Sequence, residues 1–130
     1  MESLPDMNET AFKSKLRALL KPHVQHIQSM ASLAANGTPD IYISDRKDCW
    51  LEIKVNEKTK GAIKPKLSPL QAYWCSRRAA EGRQVMVLVG TSLKEAILYR
   101  HTDQEDEWES YSNLRRPLTE IIEEILQAVN

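Results

Sequence analysis

The chain has 130 residues, enough for one domain with a real core, and its 42% hydrophobic and 28% charged content is ordinary for a globular protein. No apolar run approaches the roughly 18 residues of a membrane span. The acidic, polar opening MESLPDMNETAF does not read as a secretory signal, so a cytoplasmic protein with no membrane partner is expected. Eighteen basic residues balance eighteen acidic ones, which excludes indiscriminate attraction to nucleic acid through net charge.

Asn8 or Thr10 can cap a first helix that runs to about Leu20 on the stripe Phe12, Leu16, Leu19 and Leu20, with Pro22 ending it. Glu9 falls in its first turn, where an acid suits the helix dipole. The next stretch, HVQHIQSM from His23 to Met30, alternates poorly and gives at best a short irregular strand; His23 and His26 read as surface or groove-lining residues. Asn36-Gly37 is a turn signal, and Gly37 permits close backbone approach.

The informative stretch is GTPDIYISDRKDCWLEIK, residues 37–54. A strand, Ile41-Tyr42-Ile43, is followed by a polar turn, Asp45-Arg46-Lys47-Asp48, and a return strand, Trp50 to Val55. Alternation puts Glu52 and Lys54 on one face and Leu51, Ile53 and Val55 on the other. If the hairpin pairs in this way, Asp40 lies at the mouth of the same site. Two neighbouring carboxylates repel unless a proton or a cation bridges them, and an all-oxygen donor set suits Mg²⁺ or Mn²⁺. Cys49 in the return strand and Cys75 further on lack a CxxC or Cys/His pattern, and read as buried thiols in a reducing compartment rather than a disulfide or zinc site.

Residues 56–66, NEKTKGAIKPK, form a long lysine-rich connection, either a flap over a nucleic-acid backbone or an exposed loop. Ser68-Pro69-Leu70-Gln71 starts a helix with a capping box, ending at Gly82. Leu70, Tyr73, Trp74 and Cys75 are its expected packed side, with Arg77 and Arg78 turned outward. Gln71 either caps its own helix or projects into the site. QVMVLVG, residues 84–90, reads as a strand buried on both faces, so that strand, helix and strand form a crossover. Ala96–Arg100 reads as a further short strand and DQEDEWE, residues 103–109, as a solvated acidic loop without EF-hand spacing. Pro117–Val129 is an amphipathic helix whose stripe docks on the sheet or on a second subunit.

Charge is unevenly spread. Lys54, Lys58, Lys60, Lys64, Lys66, Arg77, Arg78 and Arg83 outnumber Glu57 and Glu81 over residues 54–83, whereas residues 101–130 are predominantly acidic. A basic segment beside the candidate site points to phosphate contacts.

Gly37-Thr38-Pro39-Asp40, Leu51-Glu52-Ile53-Lys54 and Leu67-Ser68-Pro69-Leu70-Gln71, in strand, strand and helix contexts, resemble the VRR-NUC branch of the PD-(D/E)XK nuclease superfamily, in the small stand-alone form seen in phages and bacteria. The likeness covers about residues 8–90 of a single domain spanning 1–130, with a C-terminal helical extension over about 112–130. It implies an α/β, restriction-endonuclease-like core with a central mixed sheet of three or four strands flanked by helices. It further implies a Mg²⁺-dependent endodeoxyribonuclease, with Mn²⁺ able to substitute. Asp40, Glu52 and the backbone carbonyl of Ile53 would bind the metal; Lys54 would assist the attacking water and Gln71 would complete the site. Glu9 matches an acid that often joins the metal from the first helix, while Gln28 stands where family members often carry another acid. Lys58, Lys60, Lys64, Lys66, Arg77 and Arg78 would bind DNA. The implied substrate is branched DNA such as a Holliday junction, cut by a homodimer in the cytoplasm, or the host's cytoplasm if the chain is phage-encoded. The alternatives are a general or restriction-type nuclease and a non-catalytic DNA-binding recombination accessory protein.

Overall fold

Residue alternation on two long strands sets the layers. A computed structural model describes residues 8–30, 37–55, 67–101, 108–110 and 115–130. In chain order the elements are α1 (Glu9–Leu20), a 3₁₀ turn (Lys21–His23), β1 (His26–Ser29), β2 (Ile41–Ser44), β3 (Asp48–Val55), α2 (Pro69–Ala80), β4 (Gln84–Gly90), β5 (Glu95–His101), β6 (Trp108–Ser110), β7 (Arg116–Pro117) and α3 (Leu118–Val129). Strands β1 to β6 lie side by side in sequence order, and β7 pairs with β5. Only β3 and β4 are parallel, joined through α2; the other pairs are antiparallel.

The sheet is mixed, as expected, but wider than three or four strands. The extra members are short: β1 has four residues, β6 three and β7 two. The three residues of β6 and two of β7 carry too little alternation to be read from sequence, and β1 lies in the poorly alternating stretch that gave at best an irregular strand. Strand β6 also replaces the end of the expected acidic loop, and the remainder of that loop lies outside the described residues. Pro117 sits in β7, a two-residue strand at the margin where a missing N–H is tolerated.

One sheet face carries the main core. Phe12, Leu16 and Leu20 of α1 and Leu118, Ile121, Ile125 and Val129 of α3 meet Ile41, Ile43, Cys49, Leu51, Ile53, Met86, Leu88 and Leu98. The stripe of α3 is thus spent on the sheet, the first of its two expected partners. On the opposite face Val87, Val89 and Ile97 form a smaller cluster, and α2 packs over β4 and β5. Strand β4 is buried on both faces because it lies between the layers. Gly90 at its end is the close contact for α1: a Cβ there would come within 2.6 Å of the Phe12 ring. Truncating Phe12 to alanine is expected to cost about 3–5 kcal/mol by emptying this fully buried position; urea unfolding of the variant checks the figure.

Helix α2 departs from the expected packing. Its buried residues are Ala72, Cys75 and Ser76, whereas Leu70 and Tyr73 are each 56% exposed. The side of α2 that meets β4 and β5 is the one carrying these small residues, round the helix from Leu70 and Tyr73. Cys49 and Cys75 are buried free thiols, and burial pushes each up to about 12. Among the described residues no helix is long and apolar enough to cross a membrane.

Candidate active site

Register builds the site. Ile41 pairs with Leu51 in the antiparallel β2–β3 ladder, so Asp40, one residue before β2, stands opposite Glu52, and paired positions share a face. Their carboxyls converge on one donor: the Ile53 N–H donates to Asp40 Oδ2 at 2.9 Å and to Glu52 Oε1 at 3.3 Å. Leu51 and Ile53 point into the main core, which leaves Glu52 and Lys54 facing α2.

Helix α2 enters the site through its cap. Ser68 and Gln71 form the reciprocal capping box expected from sequence, and Gln71 also reaches the strand. Its Oε1 accepts from the Ser68 N–H at 2.9 Å and from Lys54 Nζ at 3.1 Å, while Nε2 donates to Glu52 Oε2 at 2.5 Å. The two readings of Gln71 are therefore one arrangement, because one amide oxygen serves both the cap and the lysine. Gly37 holds this corner together. Its φ is +82°, and a Cβ there would lie 2.4 Å from the Leu70 carbonyl oxygen.

Lys13 of α1 is the residue that sequence reading missed. Its Nζ donates to Asp40 Oδ1 at 2.7 Å and lies 3.8 Å from Glu9 Oε2. The available signal was spacing: Glu9 and Lys13 stand one helical turn apart on the end of α1 nearest the site. Glu9 thus reaches the carboxylate pair only through Lys13. Among the described residues no group of three or more His, Cys, Asp and Glu side chains could hold a metal ion. His23 and His26 are exposed, and His26 Nε2 pairs with Gln28 Oε1.

The electrostatics follow from this geometry. Glu52 is only 2% exposed. Burial first, and then the facing Asp40 carboxyl, push it up to about 9. Burial also works against the charge on Asp40, but hydrogen bonds from the protonated Glu52, Lys13 and the Ile53 N–H together hold it below the ordinary 3.8. Lys13 goes the other way. Burial opposes its charge, yet the Asp40 contact and the nearby Glu9 and Glu52 raise it above the ordinary 10.5. Near neutrality the pair therefore holds one proton and leans on one ammonium. The carboxyl oxygens of Asp40 and Glu52 are the hard donors a divalent ion takes, and Lys13 Nζ and Gln71 Nε2 occupy them here, so the residues present fit an ion that takes the place of the shared proton and the ammonium.

A stability prediction comes from the same carboxyl. In the fold Glu52 keeps its proton to about pH 9, whereas an unfolded chain releases it near 4.5. The folded state then binds more protons in that interval, and stability falls as pH rises through it. Asp40 acts oppositely, its contribution being present above pH 3.8 and lost on further acidification. Melting temperatures in EDTA are expected to decline steadily from about pH 5 to about pH 9; a profile rising over that range would contradict the protonated pair.

Of the expected DNA-binding residues, Lys58, Lys60, Lys64 and Lys66 lie outside the described residues. Arg77 is exposed, with its guanidinium 5.9 Å from the Tyr73 ring centre. Arg78 lies 5.4 Å from the Trp74 ring centre and pairs with Glu81 at 3.1 Å. Tyr42, Trp50 and Trp74 form a contiguous aromatic row beside the site, with ring centres 4.6 and 4.9 Å apart.

No protein-family model matches the chain, and no curated protein matches it significantly.

Proposed function

We propose that the chain is a metal-dependent DNA endonuclease of the PD-(D/E)XK type, similar to stand-alone VRR-NUC proteins. The observation that carries this reading is the convergence of Asp40, Glu52, Lys54 and Gln71 on one sheet face through three hydrogen-bonded elements. Asp40, Glu52 and the Ile53 carbonyl would hold Mg²⁺ or Mn²⁺. Such an ion, when bound, activates water and neutralises charge on the scissile phosphate. Lys54 brings an ammonium to the same face, where it would donate to the attacking water or to a phosphate oxygen as charge develops. Gln71 holds Lys54 and Glu52 in a fixed relation, which would keep the ammonium beside the carboxyl once Glu52 has given up its proton on the ion's arrival. Arg77, with the lysines of residues 56–66, would contact the DNA backbone without reading sequence.

Branched DNA is the proposed substrate and a homodimer the proposed form, since a two-fold pair of sites matches two strands of a junction. A second reading, a DNA-binding accessory protein without turnover, draws on one observation. Lys13, Asp40, Glu52, Gln71 and Lys54 satisfy one another with no added ion. Cleavage of a labelled four-way junction and a matched duplex in Mg²⁺, Mn²⁺ or EDTA decides between them. Metal-dependent junction cutting is expected, slowed about 100-fold in Lys54→Ala, the scale of losing one charge-stabilising donor. Equal cutting of all substrates would keep a nuclease and discard the junction preference. No cutting by folded, metal-supplied protein would favour the accessory reading.

A further inference from the structure

Lys13 occupies an unusual position for a surface lysine. Its ammonium is 2.7 Å from Asp40 Oδ1, and the second Asp40 oxygen already accepts from the Ile53 N–H. An ion coordinating Asp40 would lie within a few ångströms of that ammonium, where like charges repel strongly in a partly buried setting. The side chain is about one-third exposed and has an alternative acceptor, since Glu9 Oε2 is 3.8 Å from the same nitrogen and has a half-exposed side chain. A flexible lysine stem can move between the two carboxylates without moving α1.

We infer that Lys13 is the intrinsic counter-cation of the Asp40–Glu52 pair, and that a divalent ion entering the site displaces it from Asp40 onto Glu9. The inference rests on the metal-dependent reading above and extends it: Lys13 sets the affinity for the ion, and Glu9 is the resting place of the displaced lysine rather than a ligand. Lys13 is thus a positioning residue acting through Asp40.

The test is Mn²⁺ binding near pH 7, read from the paramagnetic resonance signal of the free ion, so that it is independent of cleavage. Wild type, Lys13→Met, Lys13→Gln, Asp40→Asn and the double variant Lys13→Met/Glu9→Gln are compared, each first checked for folding by circular dichroism. Both Lys13 variants are expected to bind Mn²⁺ about tenfold more tightly than wild type, equivalent to about 1.4 kcal/mol. With Lys13 gone, adding Glu9→Gln should change the dissociation constant less than about twofold, the signature of coupling through the lysine. Metal-free Lys13→Met should melt lower than wild type, and saturating Mn²⁺ should close the gap. If wild type binds Mn²⁺ through Asp40 but both Lys13 variants bind no tighter, the displacement idea is wrong and the metal site survives. A large further loss on adding Glu9→Gln would overturn the role given to Glu9 and make it a ligand. If wild type and the Lys13 variants bind no Mn²⁺, or Asp40→Asn binds it equally well, the metal-dependent reading and this inference fall together.

Discussion

Glu52→Gln is expected to abolish metal-dependent cleavage while stabilising the metal-free protein at alkaline pH. A charged ligand contributes several kcal/mol of transition-state stabilisation through the ion it holds, so its loss should slow cleavage by about 10³-fold or more. The amide nevertheless suits the metal-free fold. Its oxygen can accept from Gln71 Nε2, and its NH₂ group can donate toward Asp40, taking over the role of the proton that burial keeps on Glu52. Because an amide never has to be held protonated, the stability loss between about pH 4.5 and pH 9 should largely disappear. A gain of about 2 kcal/mol at pH 8 is a reasonable scale, well below the full linkage value because the two carboxyls titrate together. Cleavage assays and melting in EDTA across pH measure the two effects separately. A variant that still cuts DNA would remove Glu52 from the metal site; one destabilised at every pH would show that the buried carboxyl is not a burden.

The second large effect is expected from Gly37→Ala. At φ +82° a Cβ costs about 1–2 kcal/mol in backbone strain. Here it would also come within 2.4 Å of the Leu70 carbonyl oxygen and 3.0 Å of the Gln71 nitrogen. Both contacts are backbone, so no rotamer change relieves them, and overpacking adds about 1–3 kcal/mol. A total near 3 kcal/mol should lower the melting temperature by about 10 °C in a chain of this size. The displaced element is the first turn of α2, which carries Gln71, so cleavage should fall by more than the loss of folded protein explains. Gly82 provides the control. Its φ is +85°, but a Cβ there meets nothing within 4 Å, so Gly82→Ala should show the strain without the overlap and leave the site intact.

The longer elements were legible because their signals are local. The capping box at Ser68 and Gln71, the stripe of α1 from Phe12 to Leu20, and the hydrophobic run of β4 each state their structure within a dozen residues. The hairpin was legible for the same reason, and with it the placement of Asp40 against Glu52. Helix α2 is the exception: of its expected packed side Cys75 is buried, but Leu70 and Tyr73 are exposed and Ala72 and Ser76 are buried in their place. Which side of α2 meets β4 and β5 is settled by contacts between distant parts of the chain, and no local pattern encodes it.

By itself the sequence determined which residues share each face of β3, where the helices start to within a residue or two, and that an acid, a second acid and a lysine would meet on one face. These are consequences of the two-residue strand repeat and of short-range capping chemistry. Tertiary structure alone decided that α1 would deliver Lys13 to Asp40, that Gln71 would bridge Lys54 and Glu52, and that Glu52 would be sealed from water. Those outcomes join residues 17 to 27 positions apart, and the charge state of the site depends on that long-range packing because burial and facing charges set it together.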